Sequence, residues 1–376
     1  MKNKKSKYTD SFANEAFNTG ISPDEPMPKP VEKNEEVEND PPRTGDFNLS
    51  SYDERYGDEA ITTEEELEDD GIKKYIGPAI KLISFLFIIF LLWSFRNPIA
   101  DLFQGARPKT VISELKENSY SKKTDYEYVK LTDDFYIKNY QHLLDAYYTI
   151  LDSGVDNFTI QCDKTYKNCL DELEELANNK VTLSNINSFV SPFNSFSSLE
   201  TKFDNFGKIE VFINKAYSKG QITSLEEEMK KIIAEVTDPS KGHRENLLAI
   251  HDYIISKTKY DTDKSQTGQS EFDSSIAIGP LLQGRALCGG YTDAMALFLD
   301  YYNIPNYKVI SENHIWNAVY LEGKWLHLDL TWDDPVMSDG SDVVEHTFFL
   351  ISHKELMEVQ KDQHFYDAKI FSEVSK

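Results

Sequence analysis

Cys288 stands in front of Gly289 and Gly290, where an apolar run, CGGYTDAMALFLDYYNI, begins. Within the run Tyr291, Ala294, Met295, Phe298 and Tyr302 recur at the spacing of a core-facing helix, and Pro305 ends it by disfavouring a helical Ile304. Cys288 therefore belongs to the helix N-terminus, where unpaired N–H groups and the helix dipole favour a thiolate. The two glycines allow a tight turn and the approach of a substrate backbone to the sulfur. Taken alone, Cys288 also fits a buried structural cysteine, since free cysteines are commonly buried.

Two further residues turn this position into candidate chemistry. Residues 306–335 read as three short strands, NYKVIS, HIWNAVYL and KWLHLDL, with Glu322-Gly323 as a hairpin turn. His314 opens the second strand and Asp329 lies near the end of the third, so antiparallel pairing makes them neighbours. A thiol nucleophile, an imidazole base and a carboxylate that orients the base is the arrangement needed for acyl transfer. His314 taken alone also fits a surface histidine, and His327 is a rival partner for Asp329. Trp316, Trp325 and Trp332 cluster around these residues, Trp325 as core and Trp316 and Trp332 as candidate walls of a substrate groove. The Cys288 backbone N–H is one candidate oxyanion donor, and Gln283 is a candidate for the second.

Residues 279–335 resemble the core of the transglutaminase-like superfamily of papain-like cysteine enzymes. The matching stretches are CGGYTDAMALFLDYYNI, HIWNAVYLEGKW and HLDLTWDDP, and the later HTFFLIS and QHFYD resemble the tail of bacterial members. The resemblance implies Cys288 as nucleophile, His314 as base and Asp329 as orienter. It also implies an α+β papain-like fold, with the cysteine helix packed on an antiparallel sheet. It leaves the substrate open, because the superfamily includes cross-linking enzymes, proteases, peptide glycanases and members without catalysis.

Other elements must position these residues. SLEEEMKKIIAEVT reads as a helix capped by Ser224 with Glu227 three residues on. A second helix follows, with Leu247, Ile250, Ile254 and Ile255 on one face, and then a polar loop, TDKSQTGQSEFDSS. These open a transglutaminase-like domain spanning 221–376. An α/β region at 96–220 precedes it. There a helix over TDDFYIKNYQHLLDAYYTILDSG, a strand VDNFTIQC, a helix YKNCLDELEELANN and a strand KIEVFINKAYS follow from periodicity. LSNINSFVSPFNSFSSLETKFDNF has no clean period and reads as an ordered loop with Phe anchors. Cys162 and Cys169 flank the start of the second helix; a small disulfide and two free thiols are both open readings.

Residues 1–75 are acidic and rich in Pro, Asn and Glu, so a disordered tail is expected. Residues 76–95, IGPAIKLISFLFIIFLLWSF, match the thickness of a bilayer and carry only Lys81 as a charge. They read as a single uncleaved transmembrane helix contacting membrane lipid. The tail is then expected in the cytoplasm and the remainder outside, an orientation the flanking Lys and Arg do not decide.

A net charge of −24 argues against nucleic acid as a partner. No spaced Cys/His pattern for zinc appears and no loop of spaced oxygens supports calcium at Asp333 and Asp334, so no metal or cofactor is expected. The function expected is a membrane-anchored cysteine enzyme acting on amide bonds of peptide or protein substrates, cell-wall-associated ones among them. The competing reading is a non-catalytic, membrane-anchored scaffold that keeps the fold.

Overall fold

A computed structural model describes residues 115–335 and 343–376. The acidic tail and the apolar segment at 76–95 lie outside the described residues. Among the described residues, no helix is long and apolar enough to cross a membrane. The architecture is mixed α/β and consistent with a transglutaminase-like core.

Its centre is an antiparallel sheet of β7 (Asn306–Ile310), β8 (Ile315–Leu321) and β9 (Lys324–Leu328), in that spatial order. Glu322 and Gly323 both take positive φ, so the two-residue turn matches the right-handed twist of the strands it joins. The sheet is buried on both faces, and the alternation of side chains divides the core in two. Val319, Leu321, Leu326 and Leu328 join one apolar cluster with Tyr291, Met295 and Phe298. Tyr307, Val309, Trp316 and Ala318 join the other, with residues of the 115–215 stretch such as Tyr126, Tyr147 and Phe189. Burial on both sides explains why these strands read as nearly continuous apolar runs.

The first face carries α7 (Cys288–Tyr301). Its seat is polar as well as apolar: Asn317 Nδ2 donates to the Thr292 carbonyl at 3.0 Å and Thr292 Oγ1 donates to the Ile315 carbonyl at 2.9 Å. Behind it pack α4 (Lys219–Val236) and α5 (His243–Lys257), through Leu225, Met229, Ile232, Leu247, Ile250 and Ile254. The start of α4 differs from the expected Ser224 cap. Ser218 caps it instead, in a reciprocal pair with Gln221, which places the helix start six residues earlier. Leu225 is fully buried, so Ser224 lies beside a core position rather than at an end.

The second face meets a four-stranded sheet region. β1 (Tyr136–Ile137), β2 (Asn157–Cys162), β4 (Lys208–Lys215) and β3 (Phe196–Phe203) lie in that order, with β1 parallel to β2 and the other pairs antiparallel. Helices α1 (Tyr140–Ser153), α2 (Cys169–Asn178) and α3 (Lys180–Asn187) accompany it. The stretch expected as a Phe-anchored loop thus contains the end of α3 and all of β3. α3 buries little beyond Leu183, Asn185 and Ile186, and β3 alternates imperfectly across a bulge between Phe196 and Ser198, so neither leaves a clean period. Cys162 and Cys169 form a disulfide, with Cα atoms 6.0 Å apart.

Two short strands, β5 (Lys259–Tyr260) and β6 (Arg285–Ala286), pair in parallel and set the approach to α7. Between them the expected polar loop folds into α6 (Thr262–Thr267), capped by Asp261, whose side chain accepts from Lys264 N. The last helix, α8 (His353–Val359), starts at a capping box of Ser352 and Glu355.

Candidate active site

Cys288 occupies the first turn of α7, so its backbone N–H has no intrahelical acceptor. The adjacent glycines are needed by the chain itself. A Cβ at Gly289 would stand 2.7 Å from the Ser275 carbonyl oxygen, and one at Gly290 would meet the Ile276 carbonyl and the Pro280 ring, each at 3.2 Å. The 274–276 backbone thus packs directly against both glycines. Gln283 is likewise committed elsewhere. It is exposed, its Oε1 accepts from Asp273 N at 2.7 Å, and its amide closes the base of this same loop.

His314 and Asp329 come together as the strand order requires. The His314 Nε2 lies 2.5 Å from Asp329 Oδ2. The Cys288 sulfur lies near enough to the His314 side chain to favour its charged form. All three are buried: Cys288 and His314 are 5% exposed and Asp329 is 2% exposed. Burial works against the imidazolium, but the Asp329 charge and hydrogen bond and the Cys288 sulfur outweigh it and lift His314 to about 10. Burial pushes the Asp329 carboxyl up, but His314 and then His364 hold it well below the usual carboxylate range. The carboxylate is further fixed by the Thr331 N–H, 2.9 Å from Oδ1.

His364 is the residue that reasoning from sequence did not assign, although QHFYD contains it. Its ring is fully buried, and its Nε2 lies 2.9 Å from the same Asp329 Oδ2 that His314 uses. Burial depresses its pKa, with Asp329 partly opposing. Its Nδ1 faces the Gln360 carbonyl at 3.1 Å, so both ring nitrogens meet acceptors. Phe348 stacks on it at 5.3 Å and Trp332 packs at 5.7 Å. Its signal was a histidine in a C-terminal aromatic stretch, with no spacing relation to Asp329 that periodicity could detect.

The tryptophans divide differently from the groove expectation. Trp316 is fully buried beneath His314, its ring nearly parallel to the imidazole at 5.5 Å, so it supports the base and does not line a groove. Its Nε1 donates to His327 Nδ1 at 2.9 Å, which takes the rival histidine away from Asp329. Trp332 is half-buried against His364 and Phe348. Trp325 packs on Tyr307 in the core at 4.8 Å.

Tyr260 was also missed. β5–β6 pairing sets it opposite Ala286, two residues before Cys288. It is close enough to Cys288 and Asp329 for their charges to bear on it; burial first, then Cys288, pushes its pKa up and keeps the phenol protonated. Tyr291 donates to Asp334, which ties α7 to the loop after Asp329. Asp333 turns inward to His251, so the two aspartates are separately engaged.

Residues 230–330 match the family model described as Transglutaminase-like superfamily. No curated protein matches the chain. Among solved structures, one titled "Crystal structure of a TGase" is similar at 15% identity, covering 36% of this chain and 44% of that chain, with a TM-score of 0.28. The chain therefore spans less than half the length of that structure. Through residues 230–330, with Cys288 and His314 inside that interval and Asp329 at its end, the chain carries a domain of the transglutaminase-like superfamily.

Proposed function

We propose that this chain is a membrane-anchored cysteine enzyme that acts on amide bonds of peptides or proteins through a Cys288 thioester on a papain-like fold. The observation that carries the reading is the 2.5 Å contact between His314 Nε2 and Asp329 Oδ2, with the Cys288 sulfur near enough to bear on the same ring. The thiol proton passes to His314, and Asp329 stabilises the imidazolium and holds its tautomer. The sulfur attacks the amide carbonyl carbon. As the tetrahedral adduct collapses, the C–N bond breaks and His314 returns its proton to the departing amine. Water or a second amine then adds to the thioester, losing a proton to His314, and the thiol leaves with a proton regained. Water yields a carboxylic acid and an amine yields a new amide.

The Cys288 N–H at the helix start supplies one oxyanion donor. The protonated Tyr260 phenol, near enough to Cys288 for its charge to bear on it, is the second donor in this reading, while the Gln283 amide faces Asp273.

Residues 76–95 supply the membrane anchor in this reading, and the Cys162–Cys169 disulfide supports an oxidising, extracytoplasmic side for the domain. Cell-envelope peptides and surface proteins are then the natural substrates. Thiol-directed electrophiles test the chemistry. Cys288 labels much faster than a model thiol, and His314→Ala removes the advantage. Labelling at the model-thiol rate, unchanged by that substitution, would replace the enzyme with a scaffold. Protease digestion of intact cells tests the orientation, with residues 96–376 degraded and the tail protected.

A further inference from the structure

A second histidine–carboxylate cluster lies away from the sulfur. His251, on α5, has both ring nitrogens against carboxylates: Nε2 is 3.1 Å from Asp333 Oδ2 and Nδ1 is 2.9 Å from Asp252 Oδ1. The same Asp252 oxygen lies 2.7 Å from His346 Nε2, brought in from 94 residues away. His251 Nδ1, Asp252 Oδ1 and His346 Nε2 all fall within 4.8 Å of one another. The side chains grade from core to solvent: those of His251 and Asp333 are 0% exposed, Asp252 is 42% exposed and His346 is 48% exposed.

We propose that His251, Asp252 and His346 bind a divalent transition-metal ion of the zinc class. Two imidazole nitrogens and one carboxylate oxygen suit such an ion and disfavour magnesium or calcium, which take oxygen ligands. Asp333 is the independent sign of a built site. It is fully buried and faces His251 Nε2, which leaves Nδ1, on the Asp252 and His346 side, as the nitrogen for the ion once its proton is displaced. A metal-bound histidine commonly donates its other N–H to a carboxylate in this way, fixing ring orientation and tautomer. Asp333 is itself held by the Phe348 N–H, 2.9 Å from its other oxygen. Only small shifts separate the three donor atoms from the spacing of ligands around one ion. The exposed side of Asp252 and His346 leaves the remaining coordination positions to water.

The ion clasps α5 to the 345–348 segment. Phe348 in that segment stacks on His364, which bonds Asp329, so the clasp stiffens the wall behind the candidate active site. This inference does not depend on the enzyme reading.

The test uses the full-length chain stripped with a chelator, in a Cys288→Ala background that removes the competing thiol, titrated calorimetrically with zinc chloride. One zinc ion binds per chain with micromolar or tighter affinity. His346→Gln, a change at an exposed side chain, weakens it at least about 10-fold, and Asp333→Asn weakens it by about 10- to 100-fold, as loss of such a support does. Near-UV circular dichroism checks that both variants fold; should Asp333→Asn unfold, His346→Gln decides. Cobalt(II) substituted into the unmutated chain shows ligand-field bands of nitrogen and oxygen coordination without a thiolate charge-transfer band. No zinc binding, or binding unchanged by His346→Gln, overturns the assignment; the latter result moves the ion to another set such as His314, Asp329 and His364.

Discussion

The two histidine–carboxylate clusters share one motif, a single carboxylate oxygen between two imidazole nitrogens. Asp329 Oδ2 lies 2.5 Å from His314 and 2.9 Å from His364; Asp252 Oδ1 lies 2.9 Å from His251 and 2.7 Å from His346. Their surroundings differ. Around Asp329 every member is buried among Trp316, Trp332 and Phe348, and the third partner of the set is a thiol. Around Asp252 one side opens to water and the third partner is a second carboxylate, Asp333. In the dry cluster each charge depends on its neighbours, so protonation states are sharply set and coupled to the sulfur. In the wet cluster solvent screens the charges, and open coordination positions remain. In the two proposed readings, burial and not residue type separates a proton-handling cluster from an ion-holding one.

The comparison is broken most severely at Asp329. Asp329→Asn leaves two buried imidazoles without their anion, and the electrophile-labelling rate of Cys288 at neutral pH falls by about 10³- to 10⁴-fold, the scale of losing a triad carboxylate. Removing one partner of a buried charge pair also costs about 3–5 kcal/mol, read as a lowered midpoint in urea unfolding. An unchanged labelling rate would detach Asp329 from the chemistry.

His364→Gln has a smaller effect with a distinctive signature. Protonation of the depressed His364 at acid pH draws the carboxylate away from His314, so wild-type labelling has an acid limb that this residue sets. The variant loses that limb and labels about 10-fold more slowly at neutral pH, a loss of one hydrogen bond to a charged group. A uniform fall at all pH values, with the limb retained, would reduce His364 to packing.

Stability against pH sharpens the contrast further. The folded His314 value is raised, so its contribution is complete below about 6.5 and is lost as pH rises through about 10. The folded Asp329 value is lowered, so its contribution is present above about 4 and is lost as pH falls through the native value. The His364 value is also lowered, and because histidine is a base this costs stability as pH falls below about 6.5. Thermal melts of the wild type and His314→Gln therefore converge as pH rises from about 6.5 to about 10, and melts that stay parallel would contradict the pairing.

The least effect is expected at the wet cluster without metal. There Asp252→Asn lowers the melting temperature by less than about 4 °C, the scale of about 1 kcal/mol in a domain of this size. Added zinc raises the wild-type midpoint and not the variant's.

Much of the dry site was legible because it is built from local elements. Pro305, the apolar stripe from Tyr291 to Tyr302 and the Glu322-Gly323 turn defined a helix and a hairpin, and antiparallel pairing then made His314 and Asp329 neighbours. His364 was not legible, because it reaches Asp329 through a C-terminal segment paired to the sheet only by bridges such as Ser311 to Tyr366. Gly289 read as room for a substrate backbone and Gln283 as an oxyanion donor, because the 273–276 loop that packs against both is invisible to periodicity. The wet cluster was illegible for the same reason, Asp252 lying on α5 and His346 on a loop 94 residues later.

By itself the sequence determined which side chains sit on one helix stripe, which strands alternate, and where the chain turns, because these follow from near-neighbour geometry. It thereby placed Cys288 at a helix start and His314 across a hairpin from Asp329. Only the tertiary structure decided which groups were dry, which glycines met backbone and which histidines shared a carboxylate. Those depend on segments distant in the chain being packed against one another, and packing controls both the dielectric around a charge and the partners within its reach.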